Sequence, residues 1–137
     1  MGGTIENCFF CTQPKEKLIL EDNVFFSIYD AAPVSPGHAI VVPKFHIVSF
    51  FDMLPDMASD MHAFILKVKE KVDAKYKPHG YNIGINDGRA AGRSIDHLHV
   101  HLIPRYNGDV PNPRGGVRNL KGVYIPPKEP PKGYGFG

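Results

Sequence analysis

Residues 97–103 read His-Leu-His-Val-His-Leu-Ile, three histidines alternating with aliphatic side chains. A period of two is a strand signature, and it sends the imidazoles to one face and Leu98, Val100 and Leu102 to the other. At about 3.3 Å of rise per residue the histidines stand roughly 6.6 Å apart along such a strand. The segment therefore demands a sheet with one apolar, covered face and one face carrying groups that titrate near neutral pH. Packing alone has little use for three histidines in five positions. Such a row suits proton transfer, metal ligation or phosphate chemistry.

The rest of the chain supplies the partners for that strand. Residues 17–20 and 24–29, separated by the polar pair Asp22 and Asn23, read as a hairpin-like pair of strands. Residues 30–37 carry Pro33, Pro36 and Gly37 and form a loop. Residues 38–42 are a short β-rich run closed by Pro43, and residues 80–85 read as another strand. Between residues 56 and 76 the period changes. Met57, Met61, Phe64, Ile65, Val68 and Val72 recur at steps of three or four, which is an amphipathic helix ended by Pro78 and Gly80. Residues 86–93 are a glycine-rich loop, and residues 94–103 form the histidine strand. The expected architecture is α+β, an antiparallel sheet with one long helix packed on it.

The chain of 137 residues, 42% hydrophobic and 22% charged, fits one globular domain over residues 1–137. Residues 105–137 read as an irregular Gly/Pro-rich tail. The net charge of +2 is uneven: residues 105–137 carry a net of +4, a mild attraction for anions that is too small to suit a binder of duplex nucleic acid. No apolar run has the length of a membrane span, and no basic-then-apolar leader opens the chain, so the expected compartment is the cytoplasm. In that setting Cys8 and Cys11, spaced C-x-x-C, suggest a metal half-site or a redox pair more than a structural disulfide.

From the residues alone the histidine row stays open between metal ligation and nucleophilic catalysis on phosphorus. The His-x-His spacing offers two nitrogens to zinc, iron or copper. A neutral imidazole also attacks phosphorus well and splits one hard displacement into two easier ones. Residues 86–105, which include Asn86, Gly92, Arg93, Ser94 and all three histidines, resemble the signature of the histidine triad family of nucleotide hydrolases and transferases. Residues 36–43, with His38, resemble the family's other recognisable block. Residues 108–118 resemble bacterial members described as dinucleoside polyphosphate hydrolase-like. The likeness runs from about Cys8 to Arg118.

That resemblance implies a histidine triad-like fold and a hydrolase of nucleotidyl phosphate bonds, of the dinucleoside polyphosphate or nucleoside phosphoramidate type. It implies that His99 is the nucleophile that becomes transiently nucleotidylated, that His101 contacts the phosphate, and that His97 is the first triad member. His38 matches a histidine beneath the site and Asp30 the acid that holds ribose hydroxyls. Asn86, Ser94 and the backbone at Gly92 fall where the family contacts phosphate, and Ile28 lines the expected apolar cleft for the base. Arg93 stands where the family usually has Gln, so it either clamps an extra phosphate or points to solvent. Cys8, Cys11, His46 and His97 match a structural zinc set of Cys₂His₂ type; the alternative is a pair of reduced core cysteines beside Phe9 and Phe10. A homodimer is a further implication. Two other readings stay open: a nucleotide-binding adaptor with incidental hydrolysis, and a metalloenzyme using the histidine row as ligands.

Overall fold

The computed structural model describes residues 18–120. Five strands form one antiparallel sheet in the order β1-β2-β3-β5-β4. They are β1 (Leu18–Glu21), β2 (Phe25–Tyr29), β3 (Ala39–Pro43), β4 (Gly80–Gly84) and β5 (Val100–Arg105). Among the described residues a single α-helix, α1 (Pro55–Tyr76), lies between β3 and β4. The chain divides into two units at Asn107/Gly108; in the second, residues 108–120 hold one short 3-10 turn, Val117–Asn119. Among the described residues no helix is long and apolar enough to cross a membrane.

Each local choice follows from side-chain chemistry. The β1–β2 turn is tied by Asp22, whose Oδ1 accepts from the N–H groups of Val24 and Phe25, both at 2.8 Å. Helix α1 starts on a proline at its first position, where a missing N–H costs nothing. It ends with Lys77 in the left-handed region (φ 53°), whose N–H bonds the Asp73 carbonyl. Its apolar stripe buries Met61, Phe64, Val68 and Val72 against Phe25, Ala39, Val41, Val100 and Leu102 of the sheet. The Phe25 and Phe64 rings meet at 5.6 Å between centroids. Each such side chain contributes about 1.5–3 kcal/mol when fully buried. Gly37 (φ +87°) lies so close to Tyr76 that a Cβ there would stand 2.8 Å from the ring, so only glycine fits.

The opposite face of the sheet holds the chemistry. Ile28 pairs with Ile40, Ile40 with His101, and His101 with Gly84. These cross-strand neighbours place one row of side chains on a common face. Around its apolar end Phe26, Ile28, Ile40 and Val42 are buried together, with Leu18 and Ile95 against them. The period-two reading holds for Val100 and Leu102, which enter the helix-side core.

The histidine strand is shorter than the sequence suggests. It begins at Val100, because the backbone just before it is committed elsewhere. The N–H of His97 bonds the Ile95 carbonyl, the N–H of Leu98 bonds Ile47, and the His97 carbonyl accepts from the His99 ring. Residues 97–99 are therefore a lead-in to β5, and the three imidazoles do not share one environment.

Candidate active site

Hydrogen-bond partners fix which nitrogen of each imidazole carries the proton. The His99 Nδ1 lies 2.8 Å from the His97 carbonyl oxygen. A carbonyl only accepts, so Nδ1–H donates and the lone pair sits on Nε2. The His97 Nε2 stands 2.8 Å from the Pro43 carbonyl, so its proton is on Nε2 and its lone pair on Nδ1. For His38 the order reverses: its Nδ1 accepts from the Val34 N–H at 3.0 Å, which leaves Nε2–H as the donor. That donor points at His101 Nδ1, 2.9 Å away, so neutral His101 carries its own proton on Nε2. A backbone amide thus sets the tautomer of two successive histidines.

Electrostatics keep this chain neutral. Burial pushes the His38 imidazole below the ordinary histidine range, and the nearby Asp30 carboxylate only partly opposes that. Burial likewise lowers His101, with the neighbouring His99 and His38 adding to the effect and Asp30 opposing it. The Asp30 Oδ2 is 3.5 Å from His38 Nε2 and 3.6 Å from His101 Nδ1. Those separations are long for a hydrogen bond, and the imidazoles are not charged partners at neutral pH. The other oxygen of Asp30, Oδ1, accepts from the Ala32 N–H at 2.9 Å and shapes the turn after β2. Asp30 therefore shapes a turn with one carboxylate oxygen and presents the other to the histidines.

The three triad members separate by surroundings. His99 and His101 lie ring to ring at 5.2 Å between centroids and are partly exposed. His97 is fully buried and stands edge-on to His46 at 5.0 Å. Its tautomer, proton to a backbone carbonyl and lone pair on Nδ1, is that of a metal-ligating histidine held by its outer neighbour. His46 and His97 thus fit half of a zinc set. The other candidates, Cys8 and Cys11, lie outside the described residues. Asp30, His38 and His101 form a second group, with candidate ligand atoms within 4.8 Å of one another. There the hydrogen bonding disfavours a metal: Val34 N–H takes the His38 lone pair, leaving Nε2 protonated toward the cluster. Among the described residues the row His97, His99 and His101 forms no such group by itself.

The glycine-rich loop leads into these histidines. Gly88 and Gly92 adopt φ of +96° and +99°. The Asn86 amide lies against Gly92, 3.8–3.9 Å from where a Cβ would be. The loop closes through hydrogen bonds from the N–H groups of Ala91 and Arg93 to the Gly88 carbonyl. Asp87 ties it to the segment before α1, accepting from the Ser49 hydroxyl and the Phe50 N–H. Ser94 is exposed at the end of the loop, and Ile95 packs on the cluster that contains Ile28. Arg93 does not simply point to solvent. Its side chain is only 17% exposed, and its Nε donates to Asp96. Asp96 also accepts from Arg89, and the sequence offers for this pairing only the nearness of charges at positions 89, 93 and 96 in one glycine-rich loop.

Residues 12–108 match the HIT domain. An uncharacterized HIT-like protein of Methanocaldococcus jannaschii is 40% identical over 108 residues, covering 74% of this chain and 81% of that protein. An AP-4-A phosphorylase of Mycobacterium tuberculosis is 32% identical over 93 residues, 67% of this chain but 48% of its own length. Among solved structures, a Zn-bound histidine triad family protein from Mycobacterium smegmatis superposes with a TM-score of 0.67 at 33% identity. It covers 85% of this chain and 91% of its own.

Proposed function

The chain belongs to the HIT domain family, and on that premise we propose that it hydrolyses nucleotidyl phosphate bonds through a covalent nucleotidyl-His99 intermediate. The substrate class is a dinucleoside polyphosphate or a nucleoside phosphoramidate. One observation carries the reading: His99 gives its Nδ1–H to the His97 carbonyl, which puts the lone pair on Nε2, the attacking nitrogen in this reading, with the His101 ring alongside. In the first step a bond forms from Nε2 to the α-phosphorus as the bond to the leaving group breaks, and the leaving group takes the electron pair; an oligophosphate departs as the anion, whereas an amine also takes a proton from solvent. His101, protonated on Nε2, donates to a non-bridging oxygen whose charge grows in the transition state. Water then attacks the same phosphorus and releases a proton to solvent, the N–P bond breaks with its electron pair returning to His99 Nε2, and the nucleoside monophosphate leaves. Positioning and charge stabilisation supply most of the rate, as in phosphoryl transfer generally.

In this reading Asp30 accepts from the ribose hydroxyls and Ile28 lines the cleft for the base. Asn86, Ser94, Arg93 and the Gly92 backbone hold phosphate oxygens, and His38 positions His101. A structural zinc on Cys8, Cys11, His46 and His97 stiffens the lead-in that carries His99; near-stoichiometric zinc in metal-replete protein supports it, and its absence removes it. The working form is a cytoplasmic homodimer. Steady-state hydrolysis of diadenosine tetraphosphate and adenosine 5′-phosphoramidate by wild type and His99→Ala tests the activity. The proposal expects the variant to lose at least about a thousandfold in kcat, or about 4 kcal/mol, while retaining affinity for AMP. AMP binding without turnover by the wild type would favour the adaptor reading instead.

A further inference from the structure

The C-terminal end of α1 carries a cluster that the histidine site does not use. A cavity of about 280 Å³ opens there, and its lining includes Lys69, Asp73, Lys77, His79 and Tyr81. Tyr81 is the cross-strand partner of Pro104 and packs with Val100 and Leu102, so the cavity belongs to the helix side of the sheet. Its donors and acceptors do not balance. Both oxygens of Asp73 are engaged: Oδ2 accepts from Lys69 at 2.6 Å and Oδ1 from the Tyr81 hydroxyl at 2.5 Å. Burial raises the Asp73 carboxyl, but those two hydrogen bonds outweigh it and hold the group below the ordinary carboxylate range. The charge of Lys69 is therefore answered. His79 is fixed from two sides, its N–H bonded to the Arg105 carbonyl and its Nδ1 accepting from the Asn107 N–H at 3.0 Å. Neutral His79 thus carries its proton on Nε2, as a donor. Lys77 enters none of the ion pairs among the described residues.

Lys77 is also the one described residue other than glycine with a positive φ, 53°. The position just past a helix favours glycine, because a Cβ there crowds the following carbonyl. A side chain kept in such a conformation points to a use for it. Complementing the negative end of the helix is not enough. Residues 67–77 hold five lysines against two acids, and a lysine inside the last turn serves that end without strain. We propose that the cavity binds a small phosphate-bearing anion, with the Lys77 ammonium and the His79 Nε2–H as donors to its oxygens. At about 280 Å³ the space lies at the small end of ligand pockets, which suits inorganic phosphate or a compact phosphomonoester and not a nucleotide. Lysine binds phosphate as a point charge, and the fixed imidazole adds a directed neutral donor. The site does not depend on the hydrolase reading.

The test titrates the isotope-labelled full chain with inorganic phosphate and with glycerol 3-phosphate at constant ionic strength, following backbone amide shifts by NMR. Wild type is expected to show saturable shifts at Lys77, His79 and Tyr81, separate from any at His99 and His101. The tighter of the two anions tells whether the free ion or an ester is the ligand. Lys77→Gly and Lys77→Gln are both expected to weaken binding at this cavity by at least about fivefold, or about 1 kcal/mol. Thermal melts are expected to show the glycine variant no less stable than wild type. Lys71→Gln removes a charge from the same helix outside the cavity lining. It should change the affinity by less than about twofold, since screening weakens a charge that does not touch the ligand. Absence of saturable shifts at Lys77, His79 and Tyr81 overturns the proposal. So does retained affinity in Lys77→Gln, which would assign any loss in the glycine variant to the backbone. Equal weakening by Lys71→Gln overturns it too, since diffuse charge would then replace a site.

Discussion

Replacing His38 with Phe removes both ring nitrogens while keeping a planar ring in a site that is 3% exposed. Two hydrogen bonds go with them: the 3.0 Å bond from Val34 N–H and the 2.9 Å bond to His101 Nδ1. Each is worth about 0.5–1.5 kcal/mol net. Val34 is 71% exposed, so its N–H regains water, and the phenyl ring adds apolar burial. The expected loss of stability is therefore small, about 1 kcal/mol. The effect on His101 is more telling. In the native protein its Nδ1 is occupied by the His38 donor, and protonating it breaks that bond. Without His38 the nitrogen is open, a neighbour that lowers its proton affinity is gone, and Asp30 still faces it. Proton affinity at His101 then rises by up to about tenfold, the bond's worth converted at 1.36 kcal/mol per pH unit. Long-range nitrogen–proton NMR of the ligand-free protein reads both tautomer and titration midpoint. A His101 that keeps its Nε2–H tautomer and its midpoint in His38→Phe would refute the claim that His38 sets its protonation.

Three further outcomes follow from the packing and the titratable groups. Phe64→Ala empties a buried site shared with Phe25 and should cost about 3–5 kcal/mol in urea unfolding; a loss under about 1 kcal/mol would contradict the helix–sheet core described above. Lys77 holds a left-handed φ of 53°, so Lys77→Gly should raise stability by up to about 1 kcal/mol and Lys77→Val should lower it; equal melting temperatures would refute the strain. His38 and His101 are held below the ordinary histidine range, facing Asp30 and His99, so the unfolded chain binds more protons than the native one once pH falls below about 6.5. Stability is then unaffected above that pH and declines below it by up to about 1.4 kcal/mol per pH unit for each histidine, and melts that stay flat between about pH 7 and pH 5.5 would contradict this sign.

Much of this architecture was written in periodicity. The change from period two to period 3.6 marked α1 within a residue of its observed start, and the pairing of β2 with β3 follows a loop whose prolines and Gly37 announce it. Alternation in the sequence overextends the histidine strand because it says nothing of where backbone donors go. Leu98 bonds Ile47, and the His97 carbonyl bonds a side chain, so the ladder cannot begin before Val100. The candidate residues Asp30, His38 and His101 do converge, but the Val34 amide that fixes their protons was invisible. Val34 carries no signal in its side chain, because only its backbone N–H acts. The pairing of Asp96 is hidden in the sequence for a different reason. A single carboxylate beside a conspicuous histidine row reads as solvent-facing charge until the loop's glycine turns bring Arg89 and Arg93 onto it.

The central claim is that His99 makes the bond to phosphorus. Mixing wild-type protein with diadenosine tetraphosphate, quenching within one turnover and mapping the adduct by peptide mass spectrometry tests it directly. The account predicts one nucleotidyl group on the peptide containing His99, localised to that residue, formed and discharged at rates consistent with kcat. Hydrolysis at full rate with no adduct at His99, or an adduct on His101 or His97 instead, would contradict it.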